Sequence, residues 1–214
     1  MGRLIFKKSY IPNLLTILRI LLIPFILSFL FIDINVLIYE FSLFENNLDF
    51  KIETKVLLNY LMTGILFLIA SFTDFLDGYL SRKFNWVSDF GKIWDPIADK
   101  VLITSLFIAL SIKGVIPWFL VVIIVIRDLI VDGYRTFLAS KQIIVSANML
   151  GKVKTVLQMI SLFVVLFIFN GTSNNIAYYL LQNGLLFVAT LMTVISGIYY
   201  LVIANLKLKN LSLN

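Results

Sequence analysis

The 214-residue chain contains neither cysteine nor histidine. Without thiols it can form no disulfide and no thiolate metal site. Without imidazole, acid–base chemistry near neutral pH falls to carboxylates, lysine, tyrosine or water, and Ser–His and Cys–His nucleophilic mechanisms are excluded. Charge is scarce as well. Charged side chains make up 14% of the residues and hydrophobic ones 60%, whereas about a quarter of an ordinary soluble domain is charged. Lipid is therefore the expected solvent. No linker rich in Pro, Gly or Ser and no repeat of fixed period divides the sequence, so a single helical domain over residues 1–214 is expected.

What the chain does have is long apolar runs. A spanning helix needs about 20 mostly apolar residues, and six stretches are candidates: 11–32, 56–73, 97–112, 115–126 with continuation beyond it, 153–169 and 176–204. The third and fourth are the least sharply bounded; Lys113 and Gly114 mark the turn between them, and Pro117 suits a helix start. The expectation is an all-α integral membrane bundle of six transmembrane helices. With the N-terminus inside, every Lys and Arg except Lys51, Lys55 and Lys113 falls at or near one face. Basic loops stay on the cytoplasmic side, which predicts both termini in the cytoplasm of a multi-pass cell-membrane protein. The first run is too long for a cleaved secretory signal, contains Arg19 and has no small-residue cleavage site after it. Phe6 stands where a myristoylation signal needs Ser or Thr. Residues 33–53 are acid-rich and read as an outside loop. Its apolar part, 34–43, is expected on the membrane surface, being too short to span. Residues 170–175 read as a second outside turn.

The remaining acids are Asp74, Asp77, Asp89, Asp95, Asp99, Asp128 and Asp132, all beside predicted cytoplasmic helix ends. Ionisable groups near bilayer depth are costly unless paired or hydrated, so they are functional candidates. On a helix, Asp74, Asp77, Gly78 and Ser81 share one face, and Asp95 aligns with Asp99. Paired carboxylates from two helices repel unless cations neutralise them, and hard oxygen ligands suit Mg²⁺ or Mn²⁺ rather than zinc. Gly78 and Gly91 would let a ligand approach the backbone, and Arg82 offers a fork suited to phosphate. Helix capping is the plain alternative for Asp95 before Pro96, but it explains one aspartate rather than four at set spacing with two glycines. Arg19, inside an apolar run, needs a partner; a motif carboxylate or a lipid phosphate would serve, and a structural role is the alternative.

The segment from Asp74 to Asp99 resembles the signature D-x2-D-G-x2-A-R-x8-G-x3-D-x3-D of the CDP-alcohol phosphatidyltransferases, with Ser81 in place of Ala. At roughly 5–7% per residue type, seven fixed matches would arise by chance about once in 10⁸ or more, so the signal is specific. The resemblance implies a six-helix membrane fold with two divalent metals, Mg²⁺ or Mn²⁺, held by Asp74, Asp77, Asp95 and Asp99, with Asp99 also the catalytic base. It implies that Gly78, Arg82 and Ser88 contact the CDP part of the donor, CDP-diacylglycerol. Asn13 and Thr16 share a helical face near the cytoplasmic surface and are added to that nucleotide set, with ordinary helix-start chemistry as the alternative.

Upstream, the run from Ile11 to Arg19 and, downstream, Arg127 to Arg135 and Gly151 to Gln158 look like the bacterial phosphatidylglycerophosphate synthase branch of that family. The implied acceptor is glycerol 3-phosphate, giving phosphatidylglycerophosphate and CMP. Its phosphate needs a cationic pocket, for which Arg127, Arg135, Lys152 and Lys154 are the available charges. Headgroup anchoring is the alternative for the arginines, and an ion pair with Asp128 for Arg127. Asp128 stands where that branch is expected to carry Glu, and Asp132 where a small hydroxyl residue is usual. Other acceptors, such as inositol phosphate, serine or phosphatidylglycerol, remain the alternative within the family. A small membrane transporter is the alternative outside it, although its acids would be expected at the midplane of discontinuous helices. The expected partners are the two substrates and membrane lipids at the cytoplasmic face of a bacterial membrane, not nucleic acid; a homodimer is left open.

Overall fold

The apolar runs fold as helices, because a backbone in lipid has only its own groups to bond with. The computed structural model describes residues 10–32, 37–43, 52–84, 89–143, 149–168 and 176–212. Among them are six helices: α1 (Tyr10–Phe31), α2 (Leu58–Phe84), α3 (Asp89–Ile112), α4 (Trp118–Ser140), α5 (Met149–Phe167) and α6 (Ile176–Ser212). Four of them, α1, α2, α5 and α6, are long and apolar enough to cross a membrane. The other two carry their charges inside the helix, Asp95, Asp99 and Lys100 in α3 and Arg127, Asp128, Asp132 and Arg135 in α4. Large apolar side chains such as Leu14, Leu21 and Phe25 on α1 or Leu191 and Ile198 on α6 are exposed, which water would penalise and lipid does not. These features mark a membrane protein.

The helical expectation holds, with one addition. Across the acid-rich stretch and the start of the run expected from residue 56 lies an antiparallel pair, β1 (Leu37–Leu43) and β2 (Ile52–Leu57). Its cross-strand pairs alternate in character: Tyr39 faces Val56, Phe41 faces Thr54 and Leu43 faces Ile52, while Glu40 faces Lys55 and Ser42 faces Glu53. That period of two is a strand pattern. β2 runs directly into α2 at Leu57 and Leu58. Residues 170–175, expected as an outside turn, lie outside the described residues.

Two compact units divide the chain. The first comprises residues 1–109 and 166–171. Here α1 packs along α2, with Ile23, Ile26 and Leu30 buried on one and Tyr60, Thr63, Phe67 and Ala70 on the other, the three-and-four spacing of a helix stripe. Thr63 is made acceptable by donating its hydroxyl to the Asn59 carbonyl at 2.7 Å. A Cβ on Gly64 would stand 2.6 Å from the Phe167 ring, so any larger residue there would have to displace that aromatic. α3 begins at Asp89, well before the apolar run that announces it, and Pro96 lies inside the helix. Asp95 is therefore an interior helical residue and not a cap.

The second unit comprises residues 110–165 and 172–214. Its first turn is a left-handed helix stop: Gly114 has φ 72, Gly114 N–H bonds the Ser111 carbonyl and Val115 N–H bonds the Leu110 carbonyl, each at 3.0 Å. α4 ends the same way with Gln142 at φ 59, where Ile143 N–H reaches the Leu138 carbonyl at 3.0 Å. Ile143 then packs on a core of Val131, Leu138, Tyr200 and Ala204 with Tyr134 and Leu208. That core joins α4 to the C-terminal part of α6, and a hydrogen bond from the Tyr134 hydroxyl to Asn205 ties the same pair. At 37 residues α6 is about 55 Å long, more than the hydrocarbon thickness requires, and it continues past the predicted end at residue 204.

Candidate active site

One turn of α1 gathers acids from two other helices. Thr16 and Arg19, three residues apart, are both fully buried. Arg19 Nη1 lies 2.7 Å from Asp74 Oδ1 on α2 and 2.9 Å from Asp99 Oδ1 on α3. The Thr16 hydroxyl donates to Asp95 Oδ1 at 2.5 Å. Three of the four signature aspartates are thereby tied to a single helical turn of the first unit, and the charges of both Asp74 and Asp95 act on Asp99. The side chain of Asp74 is 33% exposed and that of Asp99 43%, while Arg19 beneath them is 0%. Each carboxylate thus keeps an accessible part.

The donors are all oxygen, the chemistry a hard divalent cation selects. Asp74 and Asp99 already share one cationic nitrogen, so the pair is placed to share a positive charge. Among the described residues no three acid side chains gather closely enough to hold an ion by themselves. The side chain of the fourth aspartate, Asp77, lies outside the described ones, as do those of Ser81 and Arg82 and the whole of Ser88. The backbone places Asp77, Gly78 and Arg82 on α2. Gly78 is half-buried and Gly91 buried, and Asn13 is half-buried on α1. Thr16, expected beside the nucleotide, donates its hydroxyl to Asp95. Arg19 was flagged by its position in an apolar run but was not among the expected site residues; its signal was the cost of an unpaired charge there.

In the second unit, Arg127 Nη1 pairs with Asp128 Oδ1 at 2.8 Å, and its Nη2 donates to the Ser196 hydroxyl at 2.7 Å. Lys154 Nζ binds the same Asp128 oxygen. Two cations thus share one carboxylate, leaving a net positive centre, and the side chains of Arg127 and Lys154 are only 14% and 10% exposed. Gly197 lets Arg127 lie flat on α6: a Cβ there would meet Arg127 Nε at 2.8 Å. The other two expected cations are not part of this cluster. Arg135 is exposed and stacks over the Tyr200 ring at 5.4 Å from its centroid, and Lys152 is exposed.

Over residues 9–195 the sequence matches the family described as CDP-alcohol phosphatidyltransferase. The chain belongs to that family. A relative from Mycoplasma genitalium is 38% identical over 180 residues, covering 84% of this chain and 73% of its own. One from Mycoplasma pneumoniae is 37% identical, covering 90% and 86%, and one from Bacillus subtilis is 36% identical, covering 89% and 92%. All three are named CDP-diacylglycerol–glycerol-3-phosphate 3-phosphatidyltransferase. This CDP-alcohol phosphatidyltransferase is accordingly a transferase of phospholipid biosynthesis, similar to phosphatidylglycerophosphate synthases, and the aspartates tied by Thr16 and Arg19 fall within the matched region.

Proposed function

We propose that the chain transfers the phosphatidyl group of CDP-diacylglycerol to glycerol 3-phosphate, releasing CMP and forming phosphatidylglycerophosphate. The names of the relatives support both substrates. The observation that carries the chemistry is the convergence of Asp74, Asp95 and Asp99 on one turn of α1, with carboxylate surface left accessible. Asp74, Asp77, Asp95 and Asp99 would hold two divalent cations, Mg²⁺ or Mn²⁺, which when bound neutralise the diphosphate and stabilise the charge that grows on it during displacement.

The remaining work is assigned to side chains. Asp99 accepts the proton of the acceptor hydroxyl as its oxygen attacks the phosphorus that carries the diacylglycerol. The bond from that phosphorus to the oxygen bridging it to the cytidylate breaks, and the electron pair leaves with CMP. Gly78 gives the donor close access to the α2 backbone, with Arg82, Ser88, Asn13 and Thr16 assigned to the CDP moiety. Arg127 and Lys154 take the acceptor phosphate with the surplus positive charge of their shared site, and Arg135 and Lys152 contribute attraction at longer range.

In the same reading all six helices cross the bacterial cytoplasmic membrane, both termini are inside, residues 1–214 act as one domain, and the aspartates open to the cytoplasmic face. The distribution of Lys and Arg supports this orientation. An acceptor panel tests the reading. Protein in detergent with CDP-diacylglycerol and Mg²⁺ should release CMP with glycerol 3-phosphate. Release with inositol phosphate or serine, and none with glycerol 3-phosphate, overturns the acceptor.

A further inference from the structure

Arg19 is an extravagantly placed charge. None of it is exposed, and a guanidinium brings five donors on three nitrogens. Yet Nη1 serves both Asp74 and Asp99, while Nε and Nη2 are buried and have no hydrogen-bond partner among the described residues. Buried donors left unpaired are costly, so hydrogen bonding does not explain an arginine at this position. Charge does. Asp74 and Asp99 converge on one point, and two carboxylates there repel unless a cation lies between them. A leucine or methionine would fill the space on α1 but leave that repulsion in place.

We propose that Arg19 is a positioning residue that acts as a built-in counter-cation, aiming Asp74 and Asp99 at a common point before divalent ions arrive and competing with those ions for the same oxygens. The inference rests on the metal reading of the aspartates given above. A single positive charge beneath the carboxylates compensates only part of their charge, so a divalent ion still binds, but less tightly than it would to the bare pair. Arg19 thereby keeps the apo site ordered and sets the affinity of the loaded one. Thr16, one turn earlier, is uncharged and orders Asp95 without this competition.

The test compares full-length wild type, Arg19→Gln and Arg19→Lys in detergent micelles. Melting is followed with EDTA or with Mg²⁺, and Mn²⁺ binding is followed by electron paramagnetic resonance. Arg19→Gln should melt well below wild type in EDTA and recover on adding Mg²⁺, giving a larger metal-dependent rise in Tm than wild type shows. Its Mn²⁺ affinity should be about tenfold tighter or more, because one repelling charge is gone. Arg19→Lys keeps the charge but not the planar fork, and should fall between the two. A Tm loss in Arg19→Gln that is equal with and without Mg²⁺, or an unchanged or weaker Mn²⁺ affinity, overturns the proposal in favour of simple packing. If Arg19→Gln does not fold even with Mg²⁺, the double variant Arg19→Gln/Asp99→Asn decides: removing one of the two repelling carboxylates should restore folding, and failure to do so overturns the proposal in favour of packing. Wild type that binds no Mn²⁺ removes the metal reading and this inference together. Binding in wild type with no change in the variants removes the inference alone.

Discussion

Thr16 gives its hydroxyl hydrogen to Asp95 Oδ1 across 2.5 Å, a contact between residues 79 positions apart that ties α1 to the third aspartate of the signature segment. A hydrogen bond to a charged group in a part-buried setting is worth about 1.5–3 kcal/mol. Thr16→Ala should therefore lower kcat/KM for CMP release roughly 10- to 100-fold, while Thr16→Ser, which keeps the donor, should stay near wild type. Equal rates in both variants would show that Asp95 does not depend on this bond.

Asp99 is the acid assigned to proton removal, and its partial exposure leaves room for an acceptor hydroxyl. Asparagine keeps the shape and can still accept the Arg19 hydrogen bond through its amide oxygen, but it cannot take a proton. Asp99→Asn should lose about 10²–10⁴ in kcat, with CDP-diacylglycerol binding retained in a filter or equilibrium assay. A turnover within a few-fold of wild type moves the base elsewhere.

How much of this could be read from the sequence depends on which force writes each feature. The helices were legible because lipid demands long apolar runs. α3 was seen from residue 97, although it starts at Asp89, because its first two turns break Phe90, Ile93 and Trp94 with Asp89, Lys92 and Asp95 and form no continuous apolar run. The strand pair stayed hidden because most of its alternation lies inside a stretch dominated by its acids. Among the site residues, spacing alone aligned Asp95 with Asp99. That Arg19 lies between Asp74 and Asp99 follows from how α1 packs along α2 and reaches Asp99 on α3, which no local pattern encodes. The four basic candidates show the same limit. Charge placed them at one membrane face, but only packing separates the paired Arg127 and Lys154 from the exposed Arg135 and Lys152.

Gly64 and Gly133 give a paired test of packing. A Cβ at Gly64 would lie 2.6 and 2.7 Å from two Phe167 ring carbons, whereas one at Gly133 meets nothing within 4 Å. Gly64→Ala should destabilise by about 1–3 kcal/mol through overpacking. Gly133→Ala, exposed on α4, should be neutral or stabilising by up to about 1 kcal/mol from helix propensity. Thermal melts in one detergent compare the two, and a Gly64→Ala variant at least as stable as wild type would mean that Phe167 is free to turn aside.

Arg127 separates acceptor binding from anchoring, because its partners are known atom by atom. It holds Asp128 with Nη1 and Ser196 with Nη2, and lies against Gly197. If its charge binds the acceptor phosphate, Arg127→Ala should raise KM for glycerol 3-phosphate about 10- to 100-fold, the value of a charged hydrogen bond, and leave KM for CDP-diacylglycerol unchanged. Gly197→Ala pushes the same guanidinium from α6 without removing it and should move the acceptor KM in the same direction by less. Were Arg127 only an anchor for Asp128, both variants would lower Tm and leave the acceptor KM where it was. Steady-state kinetics with each substrate varied in turn, beside a melt of each variant, distinguish the two roles.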